Sequence, residues 1–105
     1  MNFDFQLSYS VIPKKYDSEH ENAAANVRRK LREIDEWKKT EHIETVLTGF
    51  IELKKDIKTQ KRKEAEELIK SVISEIMFEA DAYYKADVYV SLMVDTLGSA
   101  MEFTI

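Results

Sequence analysis

The sequence predicts an α+β fold: a two-layer sandwich in which a four-stranded sheet carries two helices packed on one face, in the order β-α-β-α-β-β. Three observations predict it. Several stretches alternate apolar and polar residues with period two. Two others repeat apolar residues at helical spacing. Only two Gly and one Pro occur among 105 residues, which favours long regular elements over tight turns. The length suits one domain, 1–105, able to bury a core without a metal or disulfide staple.

The first strand is written in Phe3, Phe5, Leu7, Tyr9 and Val11, alternating with Asp4, Gln6, Ser8 and Ser10. One face is apolar and the other wet, as in a sheet covered on one side only. Pro13 ends it. Ser18-Glu19-His20-Glu21 then reads as a capping box, with Ser18 as N-cap. Ala23, Ala24, Val27, Leu31 and Ile34 continue as one stripe, so the first helix is expected over about 18–38, with Trp37 near its end.

From His42 to Lys54 the pattern alternates again. Ile43, Thr45, Leu47, Ile51 and Leu53 share one face, and His42, Glu44, Val46, Thr48, Phe50 and Glu52 the other. One long strand is expected, with a hairpin broken around Thr48-Gly49 as the alternative. Gly49 inside it signals a bulge or a close backbone contact. The second helix is marked by Ala65, Leu68, Ile69, Val72, Ile73, Ile76, Met77 and Ala80, reaching Tyr83 and Tyr84. Val88, Val90, Leu92 and Val94 make a third strand. Thr96-Leu97-Gly98-Ser99 is a turn, and Met101, Phe103 and Ile105 a short last strand. The topology resembles the ferredoxin-like sandwich but departs from its βαββαβ order, and no motif ties the chain to a named family. Lys14-Lys15 and Lys54-Lys55 each stand at a strand exit, a faint sign of duplication.

The chain has no cysteine, which removes disulfides, thiolate nucleophiles and Cys-ligated metals. The N-terminal stretch lacks the basic start of a signal peptide, and no apolar run approaches the roughly 18 residues of a membrane span. A cytoplasmic protein without membrane contact is expected.

Charge is laid out unevenly. Residues 28–63 hold 12 of the 16 Lys+Arg and 7 of the 20 Asp+Glu, a net of +5, whereas residues 64–105 carry −7. Lys54, Lys55, Lys58, Lys61, Arg62 and Lys63 gather where the second helix begins, the wrong sign for its dipole. With the free N–H groups of a helix start they suit a phosphate or nucleic-acid backbone. The plainer reading is a solvated face with i,i+4 pairs Arg62–Glu66 and Lys63–Glu67. No glycine-rich phosphate loop or base-stacking aromatic pair supports nucleic acid, so it is not favoured as a partner. The acids of the second helix read as a solvated back rather than a nucleic-acid mimic. His42 and Glu44 share a strand face, but no third ligand completes a metal site. No catalytic residue, metal or cofactor is predicted.

The remaining signal is an apolar patch. The sheet face away from the helices should be wet, yet two strands place Val46, Phe50, Tyr89 and Met93 there. If those strands are neighbours, the patch is continuous and marks a contact surface, most simply a symmetric homodimer. The expected function is a small non-enzymatic interaction or assembly protein that self-associates or binds a protein partner through the open sheet face. The alternative is anion or nucleic-acid backbone binding by the basic segment, and after it a small enzyme around His42 and Glu44.

Overall fold

The computed structural model describes residues 1–40 and 42–105, without the side chain of Glu44. The elements are β1 (Asn2–Pro13), α1 (Ser18–Arg32), β2 (Lys38–Thr40), β3 (Ile43–Glu52), α2 (Lys58–Glu79), β4 (Ala86–Val94) and β5 (Met101–Thr104). They form one five-stranded antiparallel sheet in the order β2-β3-β1-β4-β5. Both helices lie on one face.

The sheet has five strands where the sequence predicts four, and the additional one is β2. It is three residues long, two of them lysines, and it lies at the sheet edge, where Lys38 pairs with Thr48 and Lys39 with Leu47 of β3. Such a strand carries no apolar alternation to read, since edges favour charge over burial. Counting β2 also restores βαββαβ for the first six elements, with β5 appended. The departure from ferredoxin-like order expected from the sequence disappears.

α1 ends at Arg32, a turn and a half short of the expected 38. Trp37 lies beyond it, buried, with its ring edge-on to Phe5 at 5.4 Å between centroids. The N-cap is Asp17 rather than Ser18: its carboxylate accepts from the His20 backbone N–H at 2.9 Å and meets His20 Nδ1 at 2.6 Å. α2 ends before Tyr83 and Tyr84. Asp81 takes a left-handed φ of 52°, and the N–H groups of Asp81 and Ala82 bond back to the Phe78 and Met77 carbonyls. That double closure terminates the helix.

Odd-numbered residues of β1 build the core. Phe5, Leu7, Tyr9 and Val11 are buried with Leu47 and Leu53, and with Val88, Val90, Leu92 and Val94. Ala23, Ala24, Val27 and Leu31 of α1 and Ala65, Ile69, Ile73 and Met77 of α2 close over them. Among the described residues no polar or charged side chain is buried.

Gly49 resolves to a close contact. The β1–β3 register runs unbroken from Asn2–Glu52 to Ser8–Val46, so no bulge interrupts it. A Cβ on Gly49 would stand 2.9 Å from Phe5 Cε2 and 3.2 Å from Trp37 Cδ1. Both rings are buried and have little room to yield. Gly49→Ala is expected to lower stability by about 1–3 kcal/mol, the usual cost of overpacking, read from urea unfolding followed by far-UV circular dichroism.

The α1 cap gives a pH dependence. The His20 backbone N–H, and after it the His20 ring, hold the Asp17 carboxyl below its ordinary value of 3.8. A depressed folded value contributes stability above the unfolded pKa, lost as pH falls through the folded one. Asp17→Asn keeps a capping oxygen without that titration. Its urea midpoint should therefore fall less than that of the wild type between neutral pH and about pH 3.

Candidate functional site

The face of the sheet opposite the helices is uncovered. Cross-strand partners share a face, so the pairings lay it out in rows. Phe50 lies beside Asp4, which reaches Asp95 through the Asp95 N–H to Asp4 carbonyl bond at 2.9 Å. Lys38, Thr48, Gln6 and Met93 form the next row, Val46, Ser8, Ser91 and Glu102 the next, and Ser10, Tyr89 and Thr104 another.

β3 and β4 are not neighbours, because β1 runs between them. The continuous patch expected for Val46, Phe50, Tyr89 and Met93 is thus divided by Asp4, Gln6, Ser8 and Ser10. About two strand spacings, roughly 10 Å, separate its halves. The reason is topological: β1 pairs with the strand on either side of it, and its polar face crosses the middle of the patch. All four side chains are on the open face as expected. Phe50, Met93 and Tyr89 are 63%, 51% and 48% exposed, and Val46 is half-buried.

The halves still meet across a shallow trough. Phe50 and Met93 line its sides, with Asp4, Gln6, Thr48 and Asp95 among its other walls, around a volume of about 800 Å³. A second depression of about 530 Å³ lies towards Tyr89, among Ser8, Ser10, Ser91, Glu102 and Thr104. The face is also acidic. Asp4, Glu52, Asp87, Asp95 and Glu102 all fall on it by register, against Lys38. Of these acids, Asp87 is held by Lys14 Nζ at 3.2 Å. Sequence reasoning missed this acidity, since the five carboxylates come from four strands and a loop and are adjacent only once the strand order is known.

The basic segment is partly consumed inside the fold. Arg62 does not pair with Glu66. Its Nη1 donates to the carbonyls of Leu97 at 2.6 Å and Ser99 at 2.7 Å, clamping the β4–β5 turn, where Gly98 has a φ of 92°. Glu66 meets Lys70 at 3.9 Å instead. Lys61 Nζ sits 5.1 Å above the Phe3 ring, and Lys58 reaches Gly98. The backbone N–H groups of Lys54 and Lys55 donate to Glu64 Oε1 at 2.9 and 3.2 Å, so a carboxylate already occupies that turn. The α2 start itself has Ile57 as N-cap, with no capping side chain and no acid in its first turn. The Lys54, Lys55 and Lys63 ammonium groups point to no internal partner among the described residues.

His42 stands at the β2–β3 turn with a φ of 66°. The Glu44 side chain lies outside the described residues, and so does the His42–Glu44 pairing. Among the described residues no three His, Asp or Glu side chains are grouped to hold a metal. Among the described residues no helix is long and apolar enough to cross a membrane. No protein-family model matches the chain, nor does any curated protein or solved structure.

Arg62 offers a direct check on its structural use. Arg62→Ala leaves two turn carbonyls without their charged donor and is expected to cost about 1–2 kcal/mol of stability, measured by urea unfolding.

Proposed function

We propose that the protein is a non-enzymatic interaction module that docks a partner protein through the open face of its sheet. The observation that carries this reading is the exposure of Phe50, Tyr89 and Met93 on a face no helix covers. Large apolar side chains grouped on a small domain mark contact surfaces more often than chance exposure does. The trough between Phe50 and Met93 gives a protruding side chain a seat.

The charge of that face indicates the kind of partner. Two copies placed face to face would oppose carboxylate to carboxylate, which is costly. A surface bearing Lys or Arg beside apolar groups is complementary instead. The cysteine-free composition is compatible with a reducing compartment, and the cytoplasm is part of this reading.

A second reading, anion or nucleic-acid backbone binding at the start of α2, draws on the uncapped helix N-terminus beside Lys58. It is the weaker one, because Lys61 and Arg62 are already engaged within the chain.

A comparative pull-down separates the two. The wild type should retain proteins that a Phe50→Ser, Met93→Ser variant loses and that a Lys54→Ala, Lys55→Ala, Lys63→Ala variant keeps. Both substituted regions are exposed, so unfolding midpoints should change little. Equal retention by the wild type and the Phe50→Ser, Met93→Ser variant overturns the open-face reading. Loss confined to the lysine variant, deepening with salt, supports the second.

A further inference from the structure

The two edges of the sheet are built differently. β2 is three residues long, carries Lys38 and Lys39, and its register with β3 slips between Lys39 and Thr40. Short, lysine-bearing, irregular edges discourage further strand pairing. β5 is also short, at four residues, but it carries no lysine and no slip of register. Its register with β4 is unbroken from Leu92–Met101 to Tyr89–Thr104. Ile105 continues it, exchanging both backbone hydrogen bonds with Val88 at 2.8 and 3.0 Å.

That exchange fixes which peptide groups are used. Antiparallel partners alternate between bonded and non-bonded pairs. With Val88–Ile105 bonded, Val90–Phe103 and Leu92–Met101 are bonded too. The N–H and C=O groups of Glu102 and Thr104 therefore face away from β4. β5 is the last strand on its side, so no strand among the described residues receives them.

We propose that β5 pairs antiparallel with β5 of a second copy, joining two sheets into one of ten strands about a two-fold axis at Phe103. The register follows from the residues. The outward groups at 102 and 104 can be matched with 102 opposite 102, or with 102 opposite 104; setting 104 opposite 104 engages Thr104 alone and leaves the outward groups of Glu102 unmatched on β5. The first sets two Glu102 carboxylates against each other, which destabilises a strand pair. The second sets Glu102 against Thr104 on the open face. On the helix face it sets Met101 against Ile105, and Phe103 against its own copy. Every cross-strand pair is then either apolar with apolar or charged with hydroxyl. Lys70, whose Nζ lies 5.2 Å over the Phe103 ring, comes with its own carboxylate, Glu66.

This self-association uses the sheet edge, leaves the open face free, and does not depend on the reading given above. Its test exploits two features of the chain. Proline is tolerated on an edge strand where its missing N–H faced solvent, so Thr104→Pro removes an outward donor without breaking the β4–β5 ladder. The absence of cysteine makes any introduced thiol a unique reporter.

Sedimentation equilibrium from micromolar to millimolar concentration should show a monomer–dimer equilibrium for the wild type and for Phe50→Ser, and monomer throughout for Thr104→Pro. A 1:1 mixture of Glu102→Cys and Thr104→Cys proteins should oxidise to the mixed disulfide several-fold more than either protein forms its own. The cysteine pair decides the matter should Thr104→Pro fail to fold. A wild type that stays monomeric at millimolar concentration overturns the proposal. So does a folded Thr104→Pro that dimerises like the wild type, or Glu102→Cys alone cross-linking as well as the mixture.

Discussion

Phe5, Leu7, Tyr9 and Val11 point to one side of β1, and Asp4, Gln6, Ser8 and Ser10 to the other. β1 is bonded to β3 along one flank and β4 along the other, so its alternation sets the faces of both. A slip of one residue would turn four carboxylate, amide or hydroxyl side chains into the helix layer and four apolar ones into water. Burying even one such group without a partner costs more than most single contacts return. The placement of both helices, the all-apolar core and the polar stripe across the open face all depend on that parity.

The same constraint changes what the charge layout means. Read along the chain, a basic middle and an acidic end suggest two opposed patches. In the fold, Arg62 and Lys61 tie α2 to the β4–β5 turn and to β1, and Lys30 reaches across to Glu79 at 3.9 Å. Part of the positive charge thus joins elements together. The acids that gather on a surface come from β1, β3, β4 and β5 and are widely separated in sequence.

What could be read from the sequence was what is local. β1, β4, α2 apart from its extension to Tyr83 and Tyr84, and the assignment of Val46, Phe50, Tyr89 and Met93 to one face follow from periods of two and 3.6, and the structure agrees. β2 was invisible because three residues with two lysines have no period. The first helix is shorter than the pattern predicts, because Ile34 and Trp37 are apolar and suitably spaced yet lie beyond its end. Trp37 instead leaves the helix to pack on Phe5, a residue more than thirty positions earlier. Whether the two halves of the patch touch depended on which strand lies between β3 and β4. That is a question of long-range pairing, on which side-chain alternation is silent. The same holds for Arg62, whose acceptors lie 35 and 37 residues away.

Trp37 is the chain's one indole, and it sits where β2 joins the sheet, at the contact of Phe5 and Gly49. Its emission is therefore a private signal of that corner. It reports whether the edge strand is seated, free of other tryptophans and remote from both β5 and the carboxylates around Glu102. Docking on the β5 side should leave it dark to the event, while fraying of β2 should redden it. The molecule thus carries an optical gauge for one edge of its sheet that is blind to the other.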